Sequence, residues 1–221
     1  MDVPNLPLHR RSDLPAGARL LKRGERVLEP DVYVADKGGR PVVVKDYRRY
    51  RGTPLSLAAR LLVRHEAGIL RRLSGWRHAP ALVGMGALAL GMEFIPGETL
   101  SESAGQVGRE VFDQLQAALR KLHSEGITHN DLHGTNVVVS AGVPVLIDFT
   151  SAWRTPAWLR HSFLSKQLRR SDWKNLLKLR QRVAGIAPTP EQIARVAEPR
   201  WVRGIRNGWK RAYRGSKTIR A

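Results

Sequence analysis

The hydrophobic pattern changes period several times along the chain. Residues 1–18 carry Pro4, Pro7 and Pro15 without periodicity and read as an extended arm. Arg26–Ala35 and Pro41–Tyr47 are β-rich, and Lys37-Gly38-Gly39-Arg40 between them is a tight-turn signal. Val42-Val43-Val44 suits a buried strand. Over 55–73, Leu55, Ala58, Leu62, Ile69 and Leu73 share one stripe of a predicted helix, with Glu66 at its edge and Gly75 at its end. Ala81–Ile95 reads as two short strands, broken by Pro96-Gly97. Glu110–His123 is a second helix, with Val111, Leu115, Ala118, Leu119 and Leu122 on its apolar side. Ile127–Val139 and Val143–Phe149 form strand–loop–strand, joined through Ser140-Ala141-Gly142. Pro156–Val183 is a basic helical region. After the break at Pro188, Thr189 or Pro190 is placed to start a last helix.

Composition narrows the class. The 221 residues are 42% hydrophobic and 26% charged, as in a globular protein. No apolar run approaches the roughly 20 residues of a membrane span. Met1-Asp2-Val3-Pro4 lacks the basic-then-apolar start of a signal peptide, so a cytoplasmic location is expected. With no cysteine, disulfides and thiol catalysis are excluded.

Charge adds a second theme. Lys and Arg number 38 against 19 Asp and Glu, a net charge of +19. Residues 1–150 hold only +4 of it, and residues 151–221 hold +15 together with five of the six tryptophans. Such a chain favours polyanions. Leu159, Phe163, Leu164, Leu168, Leu176, Leu177 and Val183 give the basic region an apolar side that either packs on the domain or docks elsewhere. Trp201, Trp209 and Tyr213 lie among Arg200, Arg203, Arg206, Lys210, Arg211 and Arg214. That mixture suits an anionic lipid headgroup layer, at the inner face of a cytoplasmic membrane, and also RNA, the weaker expectation. A merely solvated basic face is the plain alternative.

Four features in fixed order carry the chemistry: Lys45 closing a strand; Glu66 on the following helix; the run His129-Asn130-Asp131-Leu132-His133-Gly134-Thr135-Asn136; and Ile147-Asp148-Phe149 after an apolar strand. Phosphoryl transfer needs these residue types. A fixed cation orients an anionic triphosphate, and a carboxylate holds that flexible lysine in place. Asp and Asn offer magnesium hard oxygen ligands. A further carboxylate orients the attacking hydroxyl and accepts its proton. A zinc site on His129 and His133 lacks further convincing ligands.

With these residues the chain resembles the protein-kinase superfamily. His129, Asp131 and Asn136 match its catalytic loop, Asp148-Phe149 its metal-binding pair, and Lys45 with Glu66 its strand–helix ion pair. Leu90–Gly97 looks like the hinge between lobes. The resemblance implies an α+β, two-lobed fold with a reduced C-terminal lobe. It implies an arm over 1–19, a small lobe over 20–92, a hinge at 93–96, a large lobe over 97–186, and a basic segment over 187–221. It also implies ATP and Mg²⁺ as cofactors. Lys45 would bind the α- and β-phosphates, held by Glu66. Asp131 would act on the acceptor, and Asn136 and Asp148 would bind metal. The backbone of Glu93 and Ile95 would meet adenine, with Met92 lining its pocket. His129 would support the loop rather than react, and His133 is a minor candidate for touching acceptor or phosphate.

The departures narrow the branch. No Gly-x-Gly-x-x-Gly precedes Lys45, so phosphate cradling is expected to be looser. Thr150 stands where glycine usually follows the Asp-Phe pair, which is expected to restrict that loop. No Ala-Pro-Glu follows, and Asn130 replaces the usual arginine. The chain therefore resembles the atypical RIO-type and Kdo/lipopolysaccharide-core kinases and short bacterial serine/threonine kinase-like proteins. The acceptor left open is a protein Ser/Thr hydroxyl or a lipopolysaccharide sugar hydroxyl. A kinase fold that binds nucleotide without transferring phosphate is the competing class.

Overall fold

A computed structural model describes residues 14–197. Most of the N-terminal arm, and the segment with Trp201, Trp209 and Tyr213, lie outside the described residues. The chain divides into two compact units, 1–186 and 187–221.

The first half of the larger unit is a five-stranded antiparallel sheet with one helix. Its strands are β1 (Arg19–Lys22), β2 (Asp31–Asp36), β3 (Pro41–Asp46), β4 (Leu82–Met85) and β5 (Ala89–Glu93), in the order β1-β2-β3-β5-β4. Helix α1 (Ser56–Arg72) runs between β3 and β4. Two expectations shift here. An unexpected strand, Arg19–Lys22, follows the arm and pairs with β2; the strand expected from Arg26 begins only at Asp31. Gly24 sits in the β1–β2 turn.

Helix α1 is rotated by about one residue from the expected stripe. Its buried face carries Ala59, Val63, Glu66, Ala67, Ile69 and Leu70, while Leu57 and Leu61 point outward. Glu66 moves from the edge to the middle of that face. A carboxylate tolerates that position only when a cation meets it there.

Residues 94–96 cross to the second half without regular structure. There β6 (Glu98–Thr99), β8 (Val137–Ser140) and β9 (Val143–Leu146) form a small antiparallel sheet. The two-residue strands β7 (Ile127–Thr128) and β10 (Trp153–Arg154) pair with each other. Helix α2 (Arg109–Ser124) buries Phe112, Leu115, Leu119 and Leu122 against the core. Truncating one of these leucines to alanine costs about 2–5 kcal/mol. The long α3 (Phe163–Ala184) starts on Ser162, whose hydroxyl caps Ser165 N–H, and ends at Gly185 in left-handed conformation. Of the apolar side expected on it, Leu176 and Val183 are buried, as is Leu179, which was not among them, but Phe163 and Leu164 are exposed.

In the smaller unit, α4 (Pro190–Val196) begins on Thr189. The Thr189 hydroxyl and the Gln192 side chain exchange hydrogen bonds with each other's backbone, a reciprocal capping box.

Candidate active site

Strand alternation decides where Lys45 points. Val43 and Lys45 face the same side of β3, and their partners on β5 are Met92 and Leu90. From the buried face of α1, Glu66 meets the lysine. Lys45 Nζ donates to both Glu66 oxygens at 2.7 and 2.9 Å, to Asp148 Oδ1 at 2.8 Å and to Thr150 Oγ1 at 3.1 Å. Glu66 also accepts from Phe149 N–H at 3.0 Å and from the Thr150 hydroxyl at 2.9 Å. One ammonium thus ties β3, α1 and the segment after β9.

Electrostatics keeps this cluster charged. Burial pulls the Lys45 pKa down, but Glu66 and Asp148 outweigh it and hold the ammonium above the ordinary lysine range. Burial pushes the Asp148 carboxyl up, yet Lys45 and Thr150 hold it well below the usual carboxylate range. Burial also pushes the Tyr47 phenol up to about 12, so it stays neutral beside the pair.

Asp148 has φ +62°, in the left-handed region. The residue that replaces the usual glycine, Thr150, does not carry that strain. Its backbone N–H reaches back to Asp148 Oδ1 at 3.3 Å. Sequence reasoning treated Thr150 only as a restriction; its hydroxyl is a full member of the charged network.

The second cluster lies on the loop between β7 and β8. Asn136 Nδ2 donates to Asp131 O at 2.9 Å and to Asp131 Oδ2 at 3.1 Å. The His133 ring lies 3.4 Å from Asp131 Oδ2 and is braced by Thr135 Oγ1 at 2.8 Å. Gly134 is required here: a Cβ would fall 2.2 Å from Ser101 Oγ. Ile147 N–H donates to Asn136 O at 2.9 Å, which brings the two clusters to one end of the β8–β9 hairpin.

What holds this loop is a residue that sequence reasoning missed. Asp172, fully buried on α3, accepts from His129 N–H at 2.9 Å and Asn130 N–H at 2.8 Å, and pairs with His123 Nε2 at 2.9 Å. Asn130 takes φ +64°, a conformation that Asn tolerates better than most residues. The signal was present: Asp172 is the sole acidic residue between 151 and 190, with Leu176 and Leu179 on its stripe. His129 is buried, bonds Ile147 O through Nε2 at 3.1 Å and packs on Phe149, so its role is structural.

The residues expected at the hinge divide between the Lys45 face of the sheet and a separate groove. Met92 is buried in β5 on the Lys45 face of the sheet. Glu93 is exposed and bonds Ala81 through both its backbone N–H and its carboxylate. Glu93 and Ile95 border a groove of about 370 Å³ with Trp76, Arg77 and Val145; none of Lys45, Asp131, Asn136 or Asp148 lines it.

The backbone amides of the β1–β2 turn are already bonded within the turn. Gly24 N–H is taken by Asp31, and Glu25 and Arg26 N–H by Glu29. Arg49 grips the turn through the carbonyls of Gly24, Arg26 and Glu29. These amides serve the turn itself.

The residues fit a magnesium–nucleotide pair. Among the described residues no cluster of three or more His, Asp or Glu side chains encloses a metal. Asp148 offers an ionised carboxylate that is 41% exposed, and Asn136, donating through its nitrogen, keeps its amide oxygen as a ligand. Such a half-shell suits Mg²⁺, which takes its other ligands from phosphate and water.

The RIO domain family model, described as RIO1, matches residues 31–186. The chain belongs to the RIO domain family. It is of the atypical, protein-kinase-like type. Two solved structures of Rio2 kinase from Chaetomium thermophilum share the fold. The ADP/Mg²⁺-phosphoaspartate complex matches with TM-score 0.59 and 18% identity, over 80% of this chain and 60% of that one. The second Rio2 kinase structure matches with TM-score 0.60 and 17% identity, over 81% and 63%. A curated relative is the probable bifunctional tRNA threonylcarbamoyladenosine biosynthesis protein of Methanothermobacter thermautotrophicus, 28% identical over 127 residues. That match takes in 55% of this RIO-domain chain but 23% of the relative, so the chain spans about a quarter of that protein's length. Among the described residues no helix is long and apolar enough to cross a membrane.

Proposed function

We propose that this RIO-domain chain is an ATP- and Mg²⁺-dependent phosphotransferase acting on a protein Ser/Thr hydroxyl. The observation that carries the reading is the Lys45 ammonium, bonded at once to Glu66 and Asp148 from positions 21 and 103 residues away. Lys45 binds the α- and β-phosphates, and Glu66 fixes its position. Met92 lines the adenine side, and the main chain of Glu93 and Ile95 binds the base. Asn136 and Asp148 hold magnesium, which neutralises charge on the phosphate oxygens. Asp131 orients the acceptor hydroxyl and takes its proton as the new O–P bond forms. The bond from the γ-phosphorus to the bridging oxygen breaks, and ADP leaves with that electron pair. The relatives named as kinases, one with bound ADP and Mg²⁺, support this chemistry for the family.

Incubation of the full chain with radiolabelled Mg-ATP and a cell lysate, split into protein and glycolipid fractions, tests the reading. Label in protein that resists hydroxylamine is expected, and Lys45→Ala and Asp148→Ala abolish it. Label in glycolipid would make the acceptor a lipopolysaccharide sugar. Hydroxylamine-sensitive label would make it a carboxylate, as the phosphoaspartate of the Rio2 complex suggests for that protein. Turnover unchanged in both variants would overturn the site.

A second reading, nucleotide binding without transfer, has one observation on its side: the amides of the β1–β2 turn are committed to Asp31 and Glu29. Tight Mg-ATP binding with no phosphate release across acceptors would favour it.

A further inference from the structure

The stretch 151–171 contains no acidic residue but has Arg154, Arg160, Lys166, Arg169 and Arg170. Within it four large apolar side chains are at least half exposed. Trp153 is 51% exposed, Trp158 80%, Phe163 50% and Leu164 59%. They follow one another along β10, a short 3₁₀ turn (Ala157–Leu159) and the first turn of α3. The backbone beneath them is firmly held. β10 pairs with β7, Thr155 N–H donates to Gly126 O, Ser162 caps α3, and Arg169 reaches Arg160 O. A hydrogen-bonded framework therefore carries three aromatic rings and a leucine, each at least half exposed. Scattered exposed apolar side chains are ordinary, but a run of four within twelve residues marks an interaction surface.

The charge selects the partner. A stretch with exposed Arg154 and Lys166, more arginines behind, and no carboxylate within it calls for an anionic counterpart. The apolar members separate the two polyanions. Tryptophans can stack on bases, but Leu164 has no face to stack, and neither it nor Phe163 has a polar group for bases or phosphates. Tryptophan, phenylalanine and leucine beside lysine and arginine is the pattern of an interfacial anchor: apolar bodies enter the headgroup boundary while cations meet the phosphates.

We infer that the Trp153–Lys166 face docks on an anionic lipid bilayer. Since β10 is hydrogen-bonded to β7, and His129 follows β7 directly, docking sets the catalytic loop next to the bilayer surface. The inference is independent of phosphate transfer, because its readout is binding alone.

The test is sedimentation of the full chain with vesicles of phosphatidylcholine, with and without 30 mol% phosphatidylglycerol (roughly one charge per three lipids, enough for a negative surface potential). Binding is expected only to the anionic vesicles. The substitution W158S/F163S/L164S leaves every cation in place, including those of residues 187–221, and is expected to weaken binding roughly tenfold or more. L57S/L61S, at exposed leucines of α1, is the control and is expected to bind as the wild type. A thermal melt verifies that both variants are folded. Unchanged binding of the triple variant overturns the inference, as does equal binding to neutral vesicles. Single-stranded RNA bound with a steep salt dependence that the triple variant loses, without vesicle binding, would reassign the face to nucleic acid.

Discussion

Asp148 and Asp131 sit 17 residues apart in one loop system, yet their surroundings are opposite. Asp148 lies against a buried ammonium that Glu66 also holds, and its carboxyl is kept far on the ionised side. Asp131 meets the Asn136 amide at 3.1 Å and the His133 ring at 3.4 Å, on an open part of the loop. The anchor side is over-determined: one cation, two carboxylates, a hydroxyl and two backbone amides share a single network. The acceptor side is positioned from behind, through the main-chain grip of Asp172 on His129 and Asn130. Under the proposed function, preorganisation is concentrated where phosphate charge would be met, and adaptability is left where acceptors would differ.

The contrast is sharpest in kinetics. Lys45→Ala should lower turnover by about 10²–10³ and raise the KM for ATP, because a preorganised cation is lost. Asp131→Asn should lower kcat comparably while leaving the KM for ATP within about twofold, since it acts on the acceptor alone. Steady-state assays of both variants check this. An equal rise in KM for both would erase the division between the two sides.

The Asp172 grip comes next. Asp172→Ala leaves one buried and one part-buried backbone N–H, and His123, without their acceptor, costing about 3 kcal/mol. For a domain of this size the melting temperature should fall by roughly 10 °C. Calorimetry showing a shift near zero would mean that the loop is held elsewhere.

Why Asp172 and Thr150 escaped the sequence, while Lys45, Glu66, Asp131, Asn136 and Asp148 did not, has a physical reason. The latter carry charges or metal ligands whose order along the chain is itself a pattern. Asp172 contributes by accepting backbone hydrogen bonds, which leave no spacing signature. Thr150 acts through a hydroxyl whose partners are 84 and 105 residues away. The apolar stripe predicted α1 and α2 closely. It misjudged the rotation of α1, because a periodicity count treats Glu66 as polar and therefore outward, whereas an ion pair carries it inside. Strands β1, β6 and β10 were illegible because each has only two to four residues. Nothing along those stretches alternates long enough to count.

Smaller effects refine the anchor. Thr150→Val removes one neutral hydroxyl from the network and should raise the KM for ATP by about two- to tenfold, with Thr150→Ser restoring it. Equal behaviour of the Ser and Val variants would show that bulk, and not the hydrogen bond, matters.

Acid should loosen the loop mildly. Burial lowers the pKa of His129, and likewise that of His78. A depressed histidine contributes stability that is fully present above the unfolded value of about 6.5 and is lost as pH falls below it. Thermal stability should therefore decline from pH 7 to pH 5, and His129→Asn should flatten part of that decline. A profile identical to the wild type would place the pH sensitivity elsewhere.

The most direct measurement is the affinity for ATP by calorimetry, with magnesium and with a chelator, in the wild type, Lys45→Met and Asp148→Asn. Wild-type binding should tighten with magnesium, Lys45→Met should weaken binding in both conditions, and Asp148→Asn should erase the difference between them. A magnesium effect that survives intact in Asp148→Asn, with Lys45→Met binding as well as the wild type, would contradict the account.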